Sequence, residues 1–275
     1  MKILLKLKKI LKNNNRILNV LKITFLCIGV FFLFLQMREV DYTLLNNIKL
    51  IDLIVASLLI FLGTTFFAIP WSEEYKKDDI EIKNLEYIKF YFQGQLGKYI
   101  PGSIWSIAGR IGLASNKRIS LKDSAYKTTK HLIQLWLTCF LVGSIFYFNK
   151  LYITIFAILL FIYSLKKNLY LFFYILGWLM ICVSYLFISN LFLYENLNVF
   201  KIFSSTLYSW FGGFIFLPAP SGIGVREFLF TFIYDESIIY EKLFLISMIM
   251  RVLTVFNDTF GFFFYSILHK VLGNK

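Results

Sequence analysis

Charge is what this 275-residue chain has least of: only 16% of its residues are Asp, Glu, Lys or Arg, against about 25% in a typical soluble domain. Histidine is scarcer still, with two residues, and cysteine supplies three. His131 and His269 stand at the ends of apolar stretches, while Cys27, Cys139 and Cys182 fall inside them, none at metal-ligand spacing. No metal, disulfide framework or redox role is therefore expected, and no cofactor. The chain contains no GxxxxGK(S/T) loop, so the usual signature of ATP-driven work is missing. Proline is limited to four residues, three of them in two short stretches.

What fills the space is apolar. Hydrophobic residues make up 58% of the chain and aromatics 20%, with 32 Phe and 17 Tyr. A water-soluble globule of this size would expose far too much apolar surface. Soluble enzymes, disordered proteins and DNA-binding domains are excluded by the same numbers, despite a net charge of +13. The chain reads as an all-α, polytopic membrane protein. A spanning helix needs about 20 mostly apolar residues, and six stretches qualify or nearly do: 17–37, 48–70, 130–149, 151–165, 169–194 and 243–268.

The basic residues then report orientation. Seven Lys/Arg lie in residues 1–22, eleven in 71–130, two at Lys166 and Lys167 and two in the C-terminal tail. Only Arg38, Lys49, Lys150, Lys201, Arg226 and Lys242 fall on the other side. By the positive-inside rule both termini are cytoplasmic, in a cytoplasmic-membrane protein of six crossings. The excess charge is a topological signal, and nucleic acid is not expected as a partner. Residues 1–16 place Ile3, Leu4, Leu7, Ile10 and Leu11 on one helical face with lysines opposite, a pattern suited to lying on an anionic leaflet. No small-residue cleavage site follows, so 17–37 is expected to stay as the first span. Residues 17–268 form one transmembrane domain, and 269–275 a short cytoplasmic tail.

Two further apolar segments, 85–113 and 200–234, are broken. The first contains GKYIPGSIWSIAGR (97–110), and both its flanks are Lys-rich. A segment that enters and leaves on one side turns within the membrane, and Pro101 with Gly102 supplies the break. Ser103 is placed to cap the returning half-helix. The second contains LPAPSGIGVRE (217–227), with Pro218, Pro220, Gly222 and Gly224 too close together for continuous helix. Non-helical backbone at this depth must be buried in protein or line a wet cavity. Gly222 and Gly224 are expected to leave backbone N–H groups open beside Ser221, where the helix N-terminus and Arg226 favour an anion. Opposed broken hairpins in corresponding positions are the pattern of inverted-repeat transporters, with the substrate between them.

Charges inside spans are costly and need partners or water. Arg251 and Asp258 lie seven residues, or two helical turns, apart on one face of the last span. They are expected to meet Glu227, Arg226 or a wet cavity. Lys98, Ser103, Arg110, Ser221, Gly222, Gly224 and Arg226 form the candidate head-group site, and Glu227, Arg251 and Asp258 the charge network or coupling group. No residue is assigned as catalytic.

These motifs, with the Arg251…Asp258…Gly261 final span, resemble the lysylphosphatidylglycerol synthase transmembrane-region family, over about residues 17–268. The resemblance implies an all-helical, flippase-like domain with re-entrant helices that handles membrane lipid. The bifunctional members carry a following aminoacyl-transferase domain; here the sequence stops at Lys275, so lysyl transfer is not expected. The resemblance also implies an anionic phospholipid or a polyprenyl-phosphate glycan as cargo, with glycan- or lipid-synthesis enzymes as partners. Two other functions compete: a membrane-embedded transferase using acidic pairs such as Glu73-Glu74 and Asp78-Asp79, and a scaffold for surface polysaccharide or glycolipid assembly. The interspersed Lys76 and Lys77 make those acids a solvated loop in the first case. The broken helices count against the second.

Overall fold

The computed structural model describes residues 42–78, 84–99, 104–115, 119–148, 169–193, 197–216, 220–235 and 240–273. Among the described residues there is no strand, and eight α-helices follow in order. They are α1 (Leu50–Lys76), α2 (Asn84–Leu96), α3 (Ile104–Ala114), α4 (Leu121–Phe148), α5 (Leu169–Leu193), α6 (Val199–Ile215), α7 (Val225–Tyr234) and α8 (Tyr240–Gly273). Short 3₁₀ turns cover Tyr42–Asn47, Gly97–Tyr99 and Pro220–Gly222.

Helices α1, α4, α5 and α8 are long and apolar enough to cross a membrane. They match four of the six predicted spans. The predicted spans 17–37 and 151–165 and the amphipathic segment 1–16 lie outside the described residues. Large apolar side chains face outward, Leu50, Leu58, Val252, Phe263 and Ile267 among them, while Ser184, Thr206, Asn257 and Asp258 are buried. An apolar exterior over a partly polar interior is the arrangement a lipid solvent selects. The chain is an all-α polytopic membrane protein.

Three helix limits differ from the sequence-based expectation. The expected span 48–70 does not stop at Pro70: α1 continues to Lys76. Proline removes one helix hydrogen bond, but the turn beyond it is anchored. Trp71 Nε1 donates to Thr128 Oγ1 at 3.3 Å, and the Tyr75 hydroxyl donates to the Ser124 carbonyl at 2.9 Å. Helix α4 starts at Leu121, nine residues before the expected span, because Ser120 caps it by accepting the Asp123 N–H at 3.1 Å. Lys127, on that added turn, donates to the Glu74 carbonyl at 2.7 Å. Helix α8 runs 34 residues, about 51 Å at 1.5 Å per residue, so its ends project beyond the ~30 Å hydrocarbon core.

The two broken segments are helical hairpins. Helices α2 and α3, of 13 and 11 residues, measure about 20 and 16 Å, and each is too short to cross. Helix α6, at 17 residues, is paired with α7, at 10 residues. Helix α8 packs against both hairpins, touching α2 and α7. It is tied to α1 by Asn257 Nδ2 donating to Ser57 Oγ at 2.8 Å.

Helices α1 and α5 cross closely. A Cβ on Gly63 would lie 2.8 Å from the Gly177 carbonyl oxygen, and Ser184 Oγ donates to the Ala56 carbonyl at 2.9 Å. Small residues let membrane helices approach until dispersion and hydrogen bonding hold them. Gly63→Val is expected to force the pair apart and cost about 1–3 kcal/mol. The readout is the melting temperature of the detergent-solubilised protein; an unchanged value would show that the crossing is not tight.

Candidate anion site between the two hairpins

In the first hairpin Arg110 returns along α3 and lies across α2. Its guanidinium sits 4.3 Å above the Tyr91 ring, a cation–π contact. The room comes from Gly94, one turn after Tyr91, where any Cβ would overlap the Arg110 side chain. Arg110 is only 3% exposed, and its Nε and Nη1 have no hydrogen-bond partner among the described residues. At the turn, Lys98 pairs with Asp258 Oδ2 on α8 at 2.6 Å, and the Tyr99 hydroxyl donates to the same oxygen.

The second hairpin repeats the device. The Arg226 guanidinium sits 3.9 Å above Trp210 and 5.3 Å from Phe214. Gly213, one turn after Trp210, clears its path: a Cβ there would lie 2.6 Å from Arg226 Cγ. Arg226 is 8% exposed, and its Nε has no partner among the described residues. The turn before α7 uses left-handed backbone at Ser221 (φ 52°), Gly222 (φ 71°) and Gly224 (φ 82°), which explains the glycines there.

One expectation is corrected at this turn. The Gly224 N–H is not open to a ligand, because Glu227 Oε2 accepts it at 2.8 Å. The α7 N-terminus is capped by its own carboxylate. The other oxygen, Oε1, receives Arg251 Nε at 2.5 Å, and Arg251 Nη2 reaches the Ser221 carbonyl at 3.3 Å. Asp258, for its part, pairs with the first hairpin, whereas Arg251 holds the second.

The sequence-predicted residues Lys98, Arg110, Ser221 and Arg226 come together around one cavity of about 60 Å³, joined by Gln95 and Trp136. One water needs roughly 10–15 Å³ by this measure, so several atoms fit. A second void of about 10 Å³, lined by Glu227 and Arg251, shares Ser221 and Arg226 with the first. Ser103, Pro101, Gly102 and Pro218 lie outside the described residues, and Pro220 opens the second turn.

The electrostatics are lopsided. Of six charged side chains here, Lys98 is neutralised by Asp258 and Arg251 by Glu227. Arg110 and Arg226 have no carboxylate partner among the described residues, leaving an excess of two positive charges. The unpaired polar atoms on this lining are all donors: Arg110 Nε and Nη1, Arg226 Nε and the Trp136 indole N–H. Buried donors without acceptors are expensive, and a low-dielectric surround strengthens their pull on an anion. No group of three or more His, Cys, Asp or Glu among the described residues is placed to hold a metal ion.

Tyr91, Gly94, Trp210 and Gly213 were not among the sequence candidates. The signal is nonetheless present: Tyr91-Phe92-Gln93-Gly94 precedes Pro101 by the spacing with which Trp210-Phe211-Gly212-Gly213 precedes Pro220. Phe and Gly are common enough that this register carries meaning only once both arginines are seen on both rings. No family model matches the chain, and no curated protein or solved structure does.

The pairing of Lys98 with Asp258 has a direct test. Asp258→Asn strands a buried ammonium and is expected to cost about 3–5 kcal/mol, whereas the double variant Lys98→Met/Asp258→Leu should lose far less. Thermal denaturation of these two variants beside the unaltered protein decides it; a double variant no more stable than Asp258→Asn would show that the two residues are uncoupled.

Proposed function

We propose that this chain is an integral protein of the cytoplasmic membrane, with both termini cytoplasmic, that binds the phosphate of an anionic lipid between its hairpins and moves that lipid across the bilayer. The observation that carries the proposal is the set of unpaired donors around one buried cavity, contributed by Arg110 from one hairpin and Arg226 from the other. Such a lining has a deficit of acceptors and of negative charge, and a phosphate supplies both.

Helix α8 gives the translocation reading its mechanics. It holds the first hairpin through Asp258 and the second through Arg251, two turns apart. Releasing one ion pair while the other stays closed would open the cavity toward one face at a time, as alternating access requires. Asp258 and Glu227 are the carboxylates on which a coupling proton would act, since protonation of either removes its partner's counter-charge. The resemblance to the lysylphosphatidylglycerol synthase transmembrane region agrees with a lipid cargo, and a polyprenyl-phosphate glycan satisfies the same chemistry. Enzymes that make such lipids are the natural partners.

Movement of a labelled anionic lipid in proteoliposomes tests the proposal. Arg226→Ala and Arg251→Ala are each expected to slow it about tenfold or more, the effect of losing roughly 1.4 kcal/mol or more of binding. Unchanged rates in both variants would remove the site from the function.

A further inference from the structure

The cavity also specifies which kind of phosphate it takes. We propose that its ligand is a dianionic phosphate monoester rather than a monoanionic phosphodiester, an inference that rests on the phosphate-binding reading above. The two ion pairs with Asp258 and Glu227 are internally neutral, so the uncompensated charge is that of Arg110 and Arg226. Both guanidiniums are seated on aromatic faces, at 4.3 Å on Tyr91 and 3.9 Å on Trp210, and each is threaded past a glycine that leaves no space for a Cβ. Neither arginine is paired with a carboxylate among the described residues, where Asp258 and Glu227 hold Lys98 and Arg251.

A phosphodiester carries one negative charge, which leaves one buried guanidinium without a counter-ion. A monoester carries about −1.5 to −2 and presents three terminal oxygens. Three guanidinium nitrogens lack partners among the described residues, two on Arg110 and one on Arg226, and the two uncompensated charges match those of the monoester. A lipid monoester and free phosphate share this chemistry.

The test uses the full-length, detergent-purified protein and three probes: dioleoyl phosphatidic acid, dioleoyl phosphatidylglycerol and inorganic phosphate, with binding read by calorimetry. Phosphatidic acid is expected to bind at least about tenfold more tightly than phosphatidylglycerol. Arg110→Gln and Arg226→Gln should each abolish that preference by weakening the monoester selectively. Thermal melting of both Gln variants beside the unaltered protein serves as the folding control. Equal binding of the two lipids, lost together in the Gln variants, would overturn the monoester rule and leave the phosphate-lipid reading standing. A monoester preference that survives both Gln variants overturns the rule as well. Inorganic phosphate binding as tightly as phosphatidic acid would support the dianion rule while identifying a soluble ligand. Absence of binding by all three probes would sink both proposals.

Discussion

Four basic side chains drawn together between the hairpins of a membrane protein, with two carboxylates to face them, are the condition on which the rest of this structure turns. A cation in a low-dielectric interior is held only if something opposes its charge. Asp258 and Glu227 meet that need for Lys98 and Arg251. The aromatic faces of Tyr91 and Trp210 meet it only in part for Arg110 and Arg226, because a ring quadrupole offers far less than a full counter-charge. The architecture thus stabilises an unsatisfied site, which is what a binding site for an anion must be before its ligand arrives.

The fold serves that condition element by element. The hairpins are short because their turns must lie inside the protein, where Lys98, Tyr99 and Ser221 meet α8. Helix α8 is long and touches both hairpins. The aromatic cluster of Trp71, Tyr75, Tyr87 and Tyr91 holds α1 against α2, and the Tyr75 hydroxyl ties it on to α4. That wall is what keeps Tyr91 in place beneath Arg110. Packing, hydrogen bonding and electrostatics here converge on two ring faces and two glycines.

Much of this was legible in the sequence, and the limits follow from physics. Long apolar runs and the scarcity of charge determine spans directly, since hydrocarbon selects on composition, so the four described spans fell where expected. The two Pro/Gly breaks were visible because proline and glycine act locally on the backbone. Helix ends were less legible: nothing near Pro70 announces that Trp71 and Tyr75 will be anchored by residues 57 and 49 positions away. Pairing was legible only in part: Glu227 was among the expected partners of Arg251, whereas Lys98 was not among those expected for Asp258. The cap on Gly224 was missed for a similar reason, because a Glu at the third helical position serves equally well as a cap or as a free charge. The aromatic and glycine seats were invisible until the arginines were seen on them.

The most direct measurement is a structure of the protein in lipid nanodiscs, determined at a resolution that shows lipid phosphates. Phosphate density in contact with both Arg110 and Arg226, while Lys98 stays on Asp258 and Arg251 on Glu227, is the predicted result. Arginines turned away from Tyr91 and Trp210 to share the two carboxylates, around a cavity holding only water, would contradict the account.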